Sequence, residues 1–155
     1  MQVIHQIIAA AALAFVQPAQ AGVNDPEIII YRFPGVLDDG NGSGVGSATV
    51  FHCTNFSGVD ENVRFVTRVV NGGLASNVAV TIAHLATRTV LTHPVFSYFS
   101  TTDLHTGFVG QGTTAIAATS INVICTAMTM DAANPKPVGV ALRGIRFAPV
   151  PGSQE

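Results

Sequence analysis

Side chains that alternate apolar and polar, the period-two signature of a half-buried strand, recur along the chain in short runs separated by turn-forming residues. Two of these runs carry the chain's cysteines: residues 48–54 (ATVFHCT) and 121–127 (INVICTA). In extended backbone alternate residues share a face, so Phe51 and Cys53 point one way in the first run, as do Ile121, Val123 and Cys125 in the second. Each cysteine therefore sits in an apolar row. The arrangement predicts one disulfide, Cys53 to Cys125, joining two sheets through a shared core. Closing a loop of about 70 residues stabilises a fold by roughly 4 kcal/mol on the chain-entropy account.

The remaining elements fall around this pair. Residues 27–33 (EIIIYRF) read as a first strand, stopped by Pro34-Gly35. Residues 38–46 (DDGNGSGVG) read as a loop, since nothing in them favours a repeating conformation. A strand at 63–70 places Val63, Phe65 and Val69 on one face and Arg64 and Arg68 on the other, which is expected to face solvent. Asn71-Gly72 is the strongest hairpin signal and leads into a strand around 78–82. A Thr-rich strand at 85–92 is broken by His93-Pro94. Residues 95–99 fit either a short strand or a buried corner, and 101–112 a long loop. Residues 114–119 favour extension and lead into the second cysteine strand.

The closing strand, 138–147, changes phase. Val138, Val140 and Leu142 share one parity, whereas Ile145 and Phe147 have the other, so a bulge near Arg143-Gly144 is expected to return both sets to the core. Seven or eight short strands with one long-range cysteine pair predict an all-β fold: a single antiparallel β-sandwich of immunoglobulin-like topology with an inter-sheet disulfide. The likeness is architectural. The chain has no Trp, and Val123 stands where an antibody-type domain carries a tyrosine two residues before its second cysteine, so membership of the true immunoglobulin family is not supported.

A run of about ten apolar residues, 7–16, precedes the small-x-small site Ala19-Gln20-Ala21. This predicts a signal peptide over 1–21 with cleavage before Gly22, a sandwich domain over 22–148 and a flexible tail over 149–155. The leader is too short to span a bilayer, and no transmembrane segment is expected after its removal. The predicted location is therefore exported: periplasmic, cell-surface or extracellular. At 155 residues the chain has room for one domain with a proper core. Only 10% of residues are charged and the formal net charge is -2, with Lys136 the single lysine, so no basic stripe exists to neutralise a phosphate backbone and nucleic-acid binding is not expected.

Candidate chemistry is sparse. Asp38, Asp39 and Asn41 offer oxygens in a glycine-rich loop, but the alternating acid spacing and closing Glu of a calcium loop are missing, and a solvated loop is the simpler reading. His52, His84, His93 and His105 remain after cleavage. A blue-copper site needs two histidines, a thiolate Cys and usually a Met in a tight cluster near the chain end; Met128 follows Cys125, but no histidine does, and a disulfide removes the thiolate. Ser43 and Ser47 lack the frame of a nucleophile elbow. The nine acids lie almost entirely in predicted turns or termini. Arg64 and Arg68, with Arg88 near, are the candidate anion-binding patch, set against an ordinary exposed sheet face. Asn41 and Asn55 head glycosylation sequons. No catalytic, cofactor-binding or metal-ligating residue is assigned and no cofactor is expected.

The stretches 46–55 (GSATVFHCTN), 116–127 (IAATSINVICTA) and 146–155 (RFAPVPGSQE) resemble those of small exported bacterial proteins of unassigned function. That resemblance implies export and a bacterial source, and carries over no functional residues. The expected role is a non-catalytic binding or structural one, with protein or carbohydrate at the cell envelope as partner. A fibre or pilus-like subunit donating residues 28–33 to a neighbour is the first alternative. A small secreted hydrolase is the second. A pocket holding two or more of His84, His93, His105 and Asp103 would favour enzyme or metal chemistry.

Overall fold

β-Branched and aromatic residues at alternate positions build ten strands in the computed structural model, which describes residues 22–147. The expected signal peptide and C-terminal tail lie outside the described residues. The strands are β1 (Ile28–Asp38), β2 (Ser47–Asn55), β3 (Glu61–Val69), β4 (Leu74–Ile82), β5 (Thr87–Leu91), β6 (Thr102–Asp103), β7 (Val109–Ala118), β8 (Val123–Asp131), β9 (Gly139–Leu142) and β10 (Ile145–Arg146). They form two five-stranded sheets, ordered β10-β1-β7-β3-β4 and β6-β5-β2-β8-β9. All pairings are antiparallel except the short β5–β6 pair. The described residues contain no helix, so none is long and apolar enough to cross a membrane.

Alternation puts one face of each sheet into the shared core. In β3 Glu61, Val63, Phe65 and Thr67 are buried, while Arg64 and Arg68 lie on the outer face as the sequence predicts. Phe51 of the second sheet stands between Phe33 and Phe65 of the first, with ring centroids 5.7 and 5.8 Å away. Tyr31 extends this row, 5.7 Å from Phe33. Each fully buried phenyl contributes about 1.5–3 kcal/mol relative to leaving it in water, and edge-on packing adds to that. A smaller apolar cluster covers the outer face of the second sheet, where Val95 and Tyr98 pack over Ala48, Val50, Leu91 and Met130. Residues 95–99 are thus a corner and not a strand.

The disulfide forms between Cys53 and Cys125, but it does not bridge the sheets. The two residues face each other across neighbouring strands β2 and β8 of the second sheet, with Cα atoms 4.2 Å apart. Directly opposed residues in an antiparallel pair stand at about this separation, so the bond needs no inter-sheet reach. The disulfide is therefore intra-sheet and not the inter-sheet bond that the sequence predicts, because two apolar rows that share a core need not lie on opposite sides of it.

Two other expectations change for backbone reasons. β1 runs through Pro34-Gly35 instead of ending there; register shifts on β7 absorb the missing proline N–H and the positive φ of 80° at Gly35. Residues 28–33 accordingly lie in an internal strand, bonded to β7 along their length and to β10 at Tyr31 and Arg32. The phase change near Arg143-Gly144 is no bulge. There the chain passes from the second sheet (β9 on β8) to the first (β10 on β1), and of the two apolar sets only Leu142 packs against the core, while Val138, Val140, Ile145 and Phe147 lie exposed along edge strands. Gly144 makes the passage possible, because a Cβ there would stand 2.5 Å from the Phe33 ring.

Two outcomes follow from this packing. Gly144→Ala should lower stability by about 1–3 kcal/mol through overpacking against Phe33, measured as a shift in the urea midpoint. Removing the disulfide in a Cys53→Ala, Cys125→Ala variant should cost up to about 4 kcal/mol for its 72-residue separation. A variant that melts with the wild type would show that the bond does not constrain the unfolded chain.

Candidate functional site

At one end of the sandwich the chain collects polar residues that sequence spacing keeps apart. Asp38 closes β1 in the first sheet; Thr92 and His93 follow β5 in the second; Asp103 ends β6; Gly107 leads into β7. The loop Gly40-Asn41-Gly42-Ser43 completes a cleft of about 360 Å³. Three of the four residues whose convergence would favour enzyme or metal chemistry, His93, His105 and Asp103, line this one cleft.

Two Asp–His pairs line it. The buried pair joins His93 Nδ1 to Asp38 Oδ2 at 2.8 Å. Asp38 Oδ2 also accepts from Thr106 Oγ1 at 3.3 Å, and Oδ1 accepts from Gly40 N–H at 2.8 Å. Three donors therefore satisfy a carboxylate that is almost fully buried, as burial of such a group demands. His93 is only 8% exposed and its Nε2 has no hydrogen-bond partner. The exposed pair joins His105 Nδ1 to Asp103 Oδ2 at 3.0 Å, and the same aspartate accepts from His105 N–H at 2.7 Å. His105 adopts a left-handed φ of 50°, which non-glycine residues visit rarely.

Asp39 stands beside the buried pair. Its Oδ2 accepts from Ser47 N–H at 2.8 Å and its Oδ1 from Asn41 N–H at 3.1 Å. Burial pushes the Asp39 carboxyl up, yet the N–H donors of Ser47 and Asn41 and the charge of His93 outweigh it and hold the group below the usual carboxylate range. Gly46, with φ of 76°, permits this geometry: a side chain at that position would collide with the Asp39 carboxylate. Aromatic rings flank the same loop. The Phe96 ring rests on Gly44, whereas Phe108 approaches Gly40 with its backbone and Cβ and lays its ring on Gly110; both remain largely exposed, at 67% and 69%.

The other sequence candidates disperse. His84 Nδ1 accepts from Gly58 N–H at 3.0 Å. His52 lies on the outer face of the second sheet, bonded to Thr89 at 3.0 Å and packed edge-on against Tyr98. Arg64 gives its Nε proton to Glu27 at 2.6 Å; that bond raises its pKa, and the guanidinium also reaches Asn77. Arg68 donates to the Gly72 carbonyl. The two arginines share a face without converging on a common point. Asn55 is buried with its amide donated to Val59 and Ile82 carbonyls, which withholds that sequon from solvent.

A larger depression of about 520 Å³ between Val69, Val70 and Phe108 contains no ionisable group. Another of about 390 Å³ is lined by Asp25 and Asp60, and the Asp38–His93 cleft is the one that combines carboxylates with imidazoles. The sequence contained one signal for it: adjacent acids in a glycine-rich loop and a His-Pro strand break. What brings them together is a contact between the ends of two different sheets.

No protein-family model and no curated protein matches this chain. Among solved structures it is similar to one described as "Crystal Structure of Thermotoga maritima 1070", at 12% identity and a TM-score of 0.46, over 85% of this chain and 98% of that one.

Burial alone lowers the pKa of His52 below its ordinary 6.5. The folded protein favours neutral imidazole, so the stability His52 contributes is present above pH 6.5 and is lost as pH falls through its lower folded value. Urea midpoints compared between about pH 7.5 and pH 5 should fall more steeply for wild type than for His52→Gln. Parallel pH profiles would show that burial of this imidazole leaves its titration unchanged.

Proposed function

We propose that this is an exported binding module of bacterial origin that takes a carbohydrate at the loop end of its sandwich. One observation carries the reading: exposed Phe96 lays its ring on Gly44 of a glycine-rich loop whose cleft presents carboxylate, imidazole, hydroxyl and amide groups. A sugar needs both features, an apolar ring face to stack on and directional partners for its hydroxyls. A solvent-exposed phenyl beside a polar cleft supplies them together. Export is supported by the leader read from sequence and by a disulfide, which persists in oxidising compartments. The low charge of the chain fits a neutral, hydroxyl-rich ligand better than a polyanion.

The test is binding of the oxidised protein to an array of bacterial envelope and environmental polysaccharides, followed by calorimetry on any hit. Phe96→Ala and Asp103→Asn should each weaken binding by roughly tenfold or more while leaving the melting transition near that of wild type. Absence of saccharide binding, or a hit whose affinity neither substitution changes, would rule the reading out.

A further inference from the structure

We infer that the free edge of β4 pairs antiparallel with β4 of a second copy of this chain, joining the first sheets of two molecules into one. The two sheets have four edges, and three of them are short: β10 and β6 have two residues each and β9 has four. β9 is further guarded by Pro135, Lys136 and Pro137 ahead of it and Arg143 behind. β4 has no such guard. Its nine residues include no charged residue, proline or glycine, and its register on β3 runs unbroken over residues 76–82. Among the described residues no backbone group bonds to its outer side. Sheets avoid joining through short, charged or proline-bearing edges, whereas a long neutral edge is a template for another strand.

The alternation of the ladder shows which groups point outward. Asn62 turns both its backbone groups toward β7, donating its N–H to the Thr119 hydroxyl and accepting from the Thr119 N–H at its carbonyl. Glu61, Val63, Phe65 and Thr67 therefore bond to β4, through Ile82, Val80, Val78 and Ser76. The N–H and C=O groups of Asn77, Ala79 and Thr81 are left directed away from the molecule.

This strand matches itself. With a two-fold axis at Ala79, that residue stands opposite the second copy's Ala79, and Asn77 stands opposite the second copy's Thr81, so the outward groups of all three find partners. On the inner face Val78 meets the second copy's Val80. Both valines are half-buried against the core, and the continued sheet covers what remains of them. No like charges are opposed, because the strand carries none. A second copy is thus a partner with an edge of the same length, the same apolar parity and no charge. The area sets the strength: residues 76–82 span about 24 Å and a two-sheet wall is about 20 Å deep, giving roughly 500 Å² per copy and about 1,000 Å² in all. That is near the least a specific interface needs, so the dimer dissociates on dilution. No β4 residue lines the loop-end cleft, and the two surfaces are separate.

Sedimentation velocity of the oxidised protein over a dilution series tests the pairing. The expected result is a reversible monomer–dimer equilibrium, with hydrogen exchange at the Asn77, Ala79 and Thr81 amides slowing as concentration rises. Ala79→Pro removes an N–H that bonds nothing within one molecule, and Ala79→Lys sets two ammonium groups opposite each other, with Arg64 of each copy alongside. Each substitution should raise the dimer dissociation constant at least about tenfold while the dilute monomer melts near wild type; added salt should recover the dimer for Ala79→Lys and not for Ala79→Pro. Because Ala79 is exposed, the lysine variant keeps the test decisive if the proline variant folds poorly. A protein that stays monomeric at every concentration tested overturns the pairing and leaves the edge to a foreign strand. A dimer indifferent to both substitutions overturns it too, since association then runs through another surface.

Discussion

Phe51 crossing the gap between Phe33 and Phe65 is the contact on which the architecture depends. Since the disulfide lies wholly within the second sheet, no covalent cross-link fastens one sheet to the other, and their mutual position is set by apolar packing. An interior packed at crystal-like density tolerates little lateral slip, so three interlocked phenyls fix the offset of the sheets. That offset in turn decides which strand ends meet. The Cys53–Cys125 bond has a more local role: it locks the register of β2 on β8, and with it the face that Phe51 presents.

Polar contacts join the sheets at both ends: Asn55 of β2 donates to the Ile82 carbonyl of β4 at one, and others lie where the cleft is. Thr49 of β2 donates its hydroxyl to the Leu37 carbonyl of β1 at 2.8 Å, and a few residues away His93 meets Asp38. Such bonds need both sheets in place, which makes the loop end a product of correct packing and not a cause of it. At the far end of β7 a second buried carboxyl, Glu61, accepts the Thr119 hydroxyl and keeps one oxygen unpartnered. It lies inside the core among strand residues and lines no described cleft, so its position is structural. Position within the fold separates two buried acids that composition treats alike.

The loop end also shows how a rigid scaffold carries a variable site. Asp38 is held at a strand terminus, and His93 sits two residues beyond another; only Asn41, Ser43 and His105 belong to exposed loops. Side chains anchored on strands hold geometry, and loop residues supply adaptable contacts. The glycines at 40, 44 and 46, all with positive φ, let the loop fold back so that Asp39 reaches Ser47 and the Phe96 ring rests against backbone.

Local alternation was enough to reveal strands, the solvent-facing arginines of β3, the Asn71-Gly72 turn and the pairing of the two cysteines, because each depends on neighbours within a few residues or on there being only two thiols. The all-β sandwich follows from those elements. Three-dimensional packing decided what alternation cannot encode: that Cys53 and Cys125 share a sheet, that the phase change at Arg143-Gly144 marks a passage between sheets, and that Asp38 and His93, 55 residues apart, touch. A period of two says which side chains share a face, but it carries no information about which face lies opposite or which strand lies alongside. Those depend on non-local contacts, and so the cleft became visible only when the sheets were stacked.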